Sequence, residues 1–211
     1  MTATFDLCQL TPTQVDIDVA GGAIEGGMSM AGVTQAIDST GGGIVTATYA
    51  GIALLSRAQH RYWNELAAIL NGGTTRIFVP LWTDPVLEDG EDYSNLGDVL
   101  TAAALFATSL RIQTDGFEPY PGQWFSINHG GALDHRAYRI ATKTVETAGP
   151  PWVGTITIRP PLRAAVAVAA DKLRFNRPLC SMRLAAGESL PWSWSAPGAL
   201  GQGAIPFVEH F

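Results

Sequence analysis

The chain has 211 residues, of which 46% are hydrophobic and only 15% charged, and its 13 basic and 19 acidic residues give a formal net charge of −6. This length allows one medium domain or two small ones, and the hydrophobic share excludes a disordered chain. The basic residues are scattered, which argues against specific nucleic-acid binding, and the scarcity of charge indicates that other protein covers part of the surface.

The amino-terminal end and the cysteines indicate where the protein is made. The start, MTATFDLCQL, lacks the basic-then-apolar layout of a signal peptide, and no apolar run reaches the roughly 18 residues of a membrane span. We therefore expect a soluble protein made in the cytoplasm, without membrane insertion. Cys8 and Cys180 have no C-x-x-C partner, which favours free thiols.

The first segment has the period of β-structure. Val15, Ile17 and Val19 alternate with polar residues, as in a half-buried strand. Two further strands are predicted near 33–38 and 44–50, and three consecutive glycines lie between them. We interpret this pair as a hairpin.

A single helix is predicted after the third strand. Ser56 and Gln59 have the spacing of a capping box, and Gly72 and Gly73 end the pattern. The residues expected on its apolar face are Tyr62, Trp63, Leu66, Ile69 and Leu70. Extended structure resumes in TTRIFVPLW.

The acid-rich stretch 84–98 indicates a solvated connection and a domain junction. Beyond it, short strands recur at the spacing of a small barrel. Five are predicted, near 108–113, 123–128, 137–145, 152–159 and 172–175. Alternating inward pairs are expected at Leu110/Ile112, Phe125/Ile127, Tyr138/Ile140 and Ile156/Ile158.

The carboxyl-terminal stretch is rich in Gly, Pro and Trp and contains the apolar residues Phe207, Val208 and Phe211. An apolar end of this kind is expected to pack back onto the first segment. The sequence thus predicts a mainly β fold with one helix. Its parts are a domain of β-strands and one helix from residues 1–90 and 176–211, and a small inserted β-barrel over 91–175.

No catalytic motif, cofactor motif or metal motif stands out. His129 and His135 bracket HGGALDH, a spacing that fits no standard zinc pattern, and the acids around Gly90 lack the order of a calcium loop. The chain has no G-x-S-x-G elbow and no phosphate-loop lysine. We expect neither an enzyme nor a cofactor, metal or catalytic residue.

Three pairs of residues are candidates for contact with a partner. Arg159 and Arg163 flank two prolines that end a strand and remove the amide donors a phosphate cradle needs, so we expect fork-like pairs with carboxylates, in the chain or on a neighbouring copy. Trp192 and Trp194 alternate in PWSWS and suit either core or subunit contact, or a platform for sugar rings. Phe207 and Phe211 complete the set of predicted contact residues.

The order of these features resembles the distal tail protein of long-tailed bacteriophages. The likeness covers nearly the whole chain and is most specific between Gly154 and Ala185. It is carried by the helix phrase SRAQHRYWNELAAIL, by GQWFSI, RAYRIATKTVE, GTITIRPPLR and LRFNRPLCSMRLA, and by the terminal FVEHF.

The resemblance implies a structural virion protein at the tail tip that catalyses no reaction. Such proteins form a hexameric ring through a β-sandwich-plus-helix domain, here expected over 1–90 and 176–211, between the tail tube protein and the tail hub protein. Their inserted small β-barrel, here expected over 91–175, resembles an oligonucleotide/oligosaccharide-binding (OB) fold and faces outward. Further partners implied are tail fibre and tape measure proteins. The alternatives are another tail-hub ring protein, a carbohydrate-binding β-sandwich module and, third, an enzyme.

Overall fold

A computed structural model of the chain describes residues 3–21, 23–28, 34–38, 42–81, 96–130, 134–190 and 202–211. These residues are mainly β-structure with one α-helix, which confirms the predicted fold class. The strands are β1 (Gln14–Ala20), β2 (Ala23–Met28), β3 (Thr34–Asp38), β4 (Ile44–Ala53), β5 (Ile77–Pro80), β6 (Leu96–Val99), β7 (Ser109–Thr114), β8 (Trp124–Ile127), β9 (Arg136–Thr147), β10 (Trp152–Arg159), β11 (Ala169–Arg174), β12 (Leu179–Leu184) and β13 (Gln202–Glu209). The helix α1 is Arg57–Leu70, and a short 3₁₀ turn, Asn71–Gly73, follows it.

The chain divides into two compact units, named here the sheet unit and the barrel unit. The sheet unit comprises Met1–Asp18, Thr46–Trp82 and Leu179–Phe211, and the barrel unit comprises Val19–Val45 and Thr83–Pro178. This division differs from the predicted one mainly in residues 19–45, which were expected to belong to the first domain.

The sheet unit is built from both ends of the chain. Its five-stranded sheet has the order β1-β4-β13-β12-β5, and β13 pairs antiparallel with both β4 and β12. The carboxyl-terminal strand thus packs back onto the first segment, as predicted. The edge strand β5 also meets the amino-terminal segment, since Phe5 donates its amide to the Phe78 carbonyl at 2.7 Å.

Three aromatic rings form the centre of the sheet unit. The centroids of Phe5 and Tyr49 lie 5.2 Å apart, and that of Phe207 lies 5.4 Å from Phe5 and 5.9 Å from Tyr49. The Tyr49 hydroxyl donates to the Pro80 carbonyl at 2.5 Å. Burial raises the pKa of Tyr49, because the charged phenolate would lose its hydration.

The helix begins and ends as its sequence predicts. The Ser56 hydroxyl accepts the Gln59 amide at 3.2 Å, and the Gln59 side chain accepts the Ser56 amide at 2.9 Å, so the capping box is present. Asn71 ends the helix in the left-handed conformation at φ 43°. Trp63 packs on β13, where a Cβ at Gly203 would lie only 2.5 Å from the indole ring. Leu66 and Leu70 of the same helix are also buried.

The predicted hairpin between the strands near 33–38 and 44–50 is wrong. β3 pairs with β2, whereas β4 lies between β1 and β13 in the larger sheet. Burial alternates along β4, as in a strand of a sheet with one face against a core. Val45, Ala47 and Tyr49 are fully buried on one of its faces, and such a face needs a core to cover it.

The barrel unit contains a closed barrel of six strands in the order β10-β7-β6-β11-β8-β9. The five strands predicted from the sequence are present, and β6 is the one that was missed. It pairs with β7 through Val99 and Ile112 and with β11 through Gly97 and Leu173. Gly97 fits there because a Cβ would lie 2.9 Å from the ring of Phe175.

The four predicted inward pairs all lie in the barrel core. The two members of each pair therefore face the same core, and in β7 and β10 burial alternates along the strand. In β8 the neighbouring residues Trp124 and Ser126 are buried as well. Trp152 is also buried in this core, and Gly154 leaves room for its indole, since a Cβ would approach the ring to 2.5 Å. The remaining buried core residues are Val99, Leu162, Val166, Leu173 and Phe175.

Candidate functional site

The proline corner that follows β10 packs against a glycine turn within the barrel unit. β10 ends at Arg159, as expected from the missing amide hydrogens of Pro160 and Pro161. A Cβ at Gly42 would overlap the ring of Pro161, and Gly42 has φ 100°, a conformation that favours glycine. Both observations make the corner a close contact between two backbone segments.

Arg163 donates hydrogen bonds at this corner from its backbone and from its side chain. Its backbone N–H donates to the Tyr138 hydroxyl at 3.1 Å, and its guanidinium Nη2 donates to the carbonyl oxygen of Gly43. The partner seen here is a carbonyl, whereas a carboxylate was predicted. Arg159 is exposed, and its guanidinium forms no ion pair with the residues that the structure describes. The two arginines thus differ in role: Arg163 holds the corner and Arg159 faces solvent.

His129 also lies beside Tyr138. The Tyr138 hydroxyl lies 2.8 Å from Nε2 of the His129 ring. Burial, with the charges of Lys172 and Arg136 nearby, lowers the pKa of His129 to about 4. His129 is therefore neutral near pH 7, when its ring can share a hydrogen bond with Tyr138.

His135, at the other end of the HGGALDH segment, has a different environment. Burial and the Arg174 charge lower its pKa, against the opposing effect of Asp134. Within the ranges described above, no three His, Cys, Asp or Glu side chains come together as a metal site.

An arginine–carboxylate pair that was not predicted lies on the barrel wall. Arg111 donates three hydrogen bonds to the Glu146 carboxylate, at 2.7, 2.9 and 3.0 Å. This pair lowers the pKa of Glu146 and raises that of Arg111. Both side chains are exposed, so the pair contributes little to stability and forms a local polar feature between β7 and β9.

The predicted aromatic contact residues fall into three groups. Phe207 is 1% exposed and packs in the core, so its predicted role as a contact residue is replaced by a packing role. Phe211 is 57% exposed. Trp192 and Trp194 lie outside the described residues.

No protein-family model and no curated protein sequence matches the chain. The described residues include no helix long and apolar enough to span a membrane.

One exposed surface of the barrel unit was not predicted from the sequence. It is named here the apolar ridge and defined as residues 102–107 and 164–168, of which Val166 is buried in the barrel core and the others are partly or well exposed. Every side chain in these two loops is Ala, Val, Leu or Phe. The loops pair with each other, since Ala103 and Val166 exchange two backbone hydrogen bonds of 2.9 Å. The signal in the sequence is the pair of charge-free runs AAALFA and AAVAV.

Proposed function

We propose that the chain is a structural protein of a phage tail tip, which acts as the subunit of a hexameric ring. In this role it joins the tail tube protein to the tail hub protein, and it catalyses no reaction. It belongs to the virion and is made in the host cytoplasm. The barrel faces outward, where it is placed to meet tail fibre proteins, and the ring surrounds the path of the tape measure protein.

The observation that carries the proposal is the order of parts along the chain. A sheet with one capped helix is begun by β1, β4 and β5 and completed by β12 and β13, and the six barrel strands lie between β5 and β12 in sequence. This order agrees with what the resemblance to distal tail proteins implies. In the proposed ring, the sheet and helix form the contacts between subunits, and the barrel inserted in their sequence faces outward.

The surface composition supports association with other protein. Only 15% of the residues are charged, and large apolar side chains are exposed in both units, including Leu55 at 72% and Phe106 at 60%. A protein that remained monomeric would be more soluble with more charged side chains at its surface. In a ring, neighbouring subunits cover part of this area.

The experiment has two parts. The purified chain, concentrated and imaged by electron microscopy, is expected to form closed rings whose mass, by light scattering, corresponds to about six copies. Antibodies against the chain are then expected to label the tail tip of the phage particles that contain it. Labelling elsewhere on the particle, or on no particle, would contradict the proposal.

The same samples test the main alternative. A protein that stays monomeric at high concentration, and whose tryptophan fluorescence is quenched by added sugars, would indicate a carbohydrate-binding module. Rings that label another position in the tail would indicate a different ring protein.

A further inference from the structure

One side of the barrel carries most of the positive charge of an acidic protein. The sequence contains no run of basic residues, but eight of its 13 basic residues and only two of its 19 acidic ones lie from Arg136 to Arg177. This part of the chain includes the strands β9, β10 and β11. The net charge of −6 therefore comes from the rest of the chain, and an anion would be attracted to this side of the barrel.

Two of these basic residues lie directly opposite each other. Arg139 of β9 and Arg159 of β10 are register partners in an antiparallel pair, and both are exposed. Side chains of such partners lie on the same face with Cβ atoms about 4.5–5.5 Å apart, where like charges destabilise the pair. Neither guanidinium forms an ion pair with a carboxylate of the residues that the structure describes. Within that part of the chain, nothing of opposite charge offsets the repulsion.

The Arg139 side chain is held in place by contacts with β8 and the turn before it. Its Nε donates to the Gly122 carbonyl at 3.3 Å, and its guanidinium carbon lies 6.0 Å from the centroid of the Trp124 ring. Trp124 is the register partner of Arg139 in β8. The hydrogen bond uses Nε, so the two Nη groups can donate to a ligand.

Two further basic residues lie on the same side of the barrel. Leu173 of β11 belongs to the barrel core, so its neighbours Lys172 and Arg174 lie on the outward face of that strand, and both are partly exposed. β11 pairs with β8, which pairs in turn with β9. We name Arg139, Arg159, Lys172 and Arg174 the basic face. None of the four forms an ion pair with a carboxylate among the described residues.

From this geometry we infer that Arg139 and Arg159 bind a phosphate group, and that Lys172 and Arg174 add to the positive charge around it. The inference goes beyond the proposed ring and does not depend on it. The ligand is inorganic phosphate or a phosphate monoester.

The arrangement of the two arginines favours phosphate over a carboxylate. A phosphate monoester carries a charge of about −1.5 to −2 near pH 7 and has three acceptor oxygens. It can accept hydrogen bonds from two guanidinium groups at once and offset the repulsion between them. A carboxylate has a single charge and two oxygens, and one arginine fork occupies both.

The exposure of the two arginines sets the strength that is expected. Charges that stay in contact with water interact weakly, and salt screens them. We therefore expect a dissociation constant on the order of 1 mM, which rises with ionic strength.

The test is a phosphorus NMR titration of inorganic phosphate with the full chain, at constant ionic strength and without other multivalent anions. The wild type should shift and broaden the phosphate signal in a saturable way. Arg139→Gln and Arg159→Gln should each weaken binding by about tenfold, because each removes one charged fork. Arg159→Lys keeps the charge but lacks the fork, so its loss should be smaller, about threefold.

Arg61→Gln is the matched control. Arg61 is exposed on α1 in the sheet unit, and the substitution changes the net charge by the same amount. This variant should bind phosphate like the wild type. Circular dichroism and thermal unfolding of each variant check that the fold is intact.

A sugar monophosphate distinguishes the two sources of the phosphate group. If glucose 6-phosphate binds as inorganic phosphate does, and glucose does not bind, the phosphate group alone is recognised. If the sugar phosphate binds more tightly, and the two glutamine variants weaken it equally, the ligand carries its phosphate on a sugar. Both results support the site.

Three results would overturn the inference. The first is the absence of saturable binding to the wild type, and the second is unchanged binding by the folded variants Arg139→Gln and Arg159→Gln. The third is an equal loss in Arg61→Gln, which would show attraction to the charge of the whole protein. None of these results bears on the ring, which electron microscopy and the labelling of tails test separately.

Discussion

The guanidinium of Arg163 donates a hydrogen bond to the carbonyl oxygen of Gly43, a residue 120 positions earlier in the chain. The bond joins the proline corner after β10 to the glycine turn before β4. Two segments that are distant in sequence are thus linked by one long side chain. The stability of the corner should therefore depend on this side chain and on the close packing beside it.

Replacing Arg163 should destabilise the protein, whereas replacing Arg159 should not. Arg163→Ala removes a charged donor from the carbonyl of the buried Gly43, and we expect the free energy of unfolding to fall by about 1–2 kcal/mol. Arg159→Ala, at an exposed side chain, should change it by less than about 0.5 kcal/mol. Urea denaturation of both variants measures the difference. Equal losses for the two variants would show that the corner does not depend on the bond to Gly43.

Gly42 should tolerate no side chain. Gly42→Ala places a methyl group on the ring of Pro161 and also forces φ 100° on a residue with a Cβ, so we expect a loss of more than about 2 kcal/mol. Gly116 is the control, because it has φ 93° and a Cβ added there would meet nothing within 4 Å. Gly116→Ala should show only the backbone cost of about 1–2 kcal/mol. A similar loss at both positions in thermal unfolding would exclude the packing effect.

Acid should weaken the protein through His129. Its folded pKa of about 4 lies below its ordinary value of 6.5, so the unfolded chain binds the proton more readily between these values. The stabilisation is fully present above pH 6.5 and is lost as the pH falls towards 4. We expect a loss of about 1–2 kcal/mol, after allowing for the partial exposure of the ring.

The measurement is the free energy of unfolding at a series of pH values for the wild type and for His129→Gln, whose amide can still bond to Tyr138. The variant should show a smaller decline between pH 6.5 and 4. His135 remains in both proteins, so its own contribution cancels in the comparison. NMR titration of the His129 ring with a midpoint near 6.5 would contradict the assignment.

Local signals in the sequence were sufficient for much of the fold. The capping box of Ser56 and Gln59 and the alternating pairs of the barrel depend on neighbours within a few residues, and these were predicted correctly. The place of β4 between β1 and β13 is different, because β13 lies at the other end of the chain and neighbouring residues carry no information about that pairing. β6 was missed because all of its residues but Val99 lie within the acid-rich stretch 84–98, whose composition indicates a connection.

Prediction of the candidate surfaces was limited in the same way. The apolar character of Phe207 and Phe211 is evident in the sequence, but the first lies in β13 and is buried, whereas the second lies beyond the end of that strand and is exposed. The same holds for the ridge. Its alanine-rich runs could equally have filled a core, and the structure buries Val166 but leaves Phe106 and Val168 exposed.

The central place of β13 in the five-stranded sheet has a consequence for synthesis on the ribosome. All six barrel strands lie between Leu96 and Arg174, so they can fold while the chain is still being translated. The sheet cannot close until β13, which ends at Glu209, has emerged and entered between β4 and β12. Until then, β4 and β5 each have an unpaired edge. We therefore expect the nascent chain to be most prone to aggregation during this stage of translation.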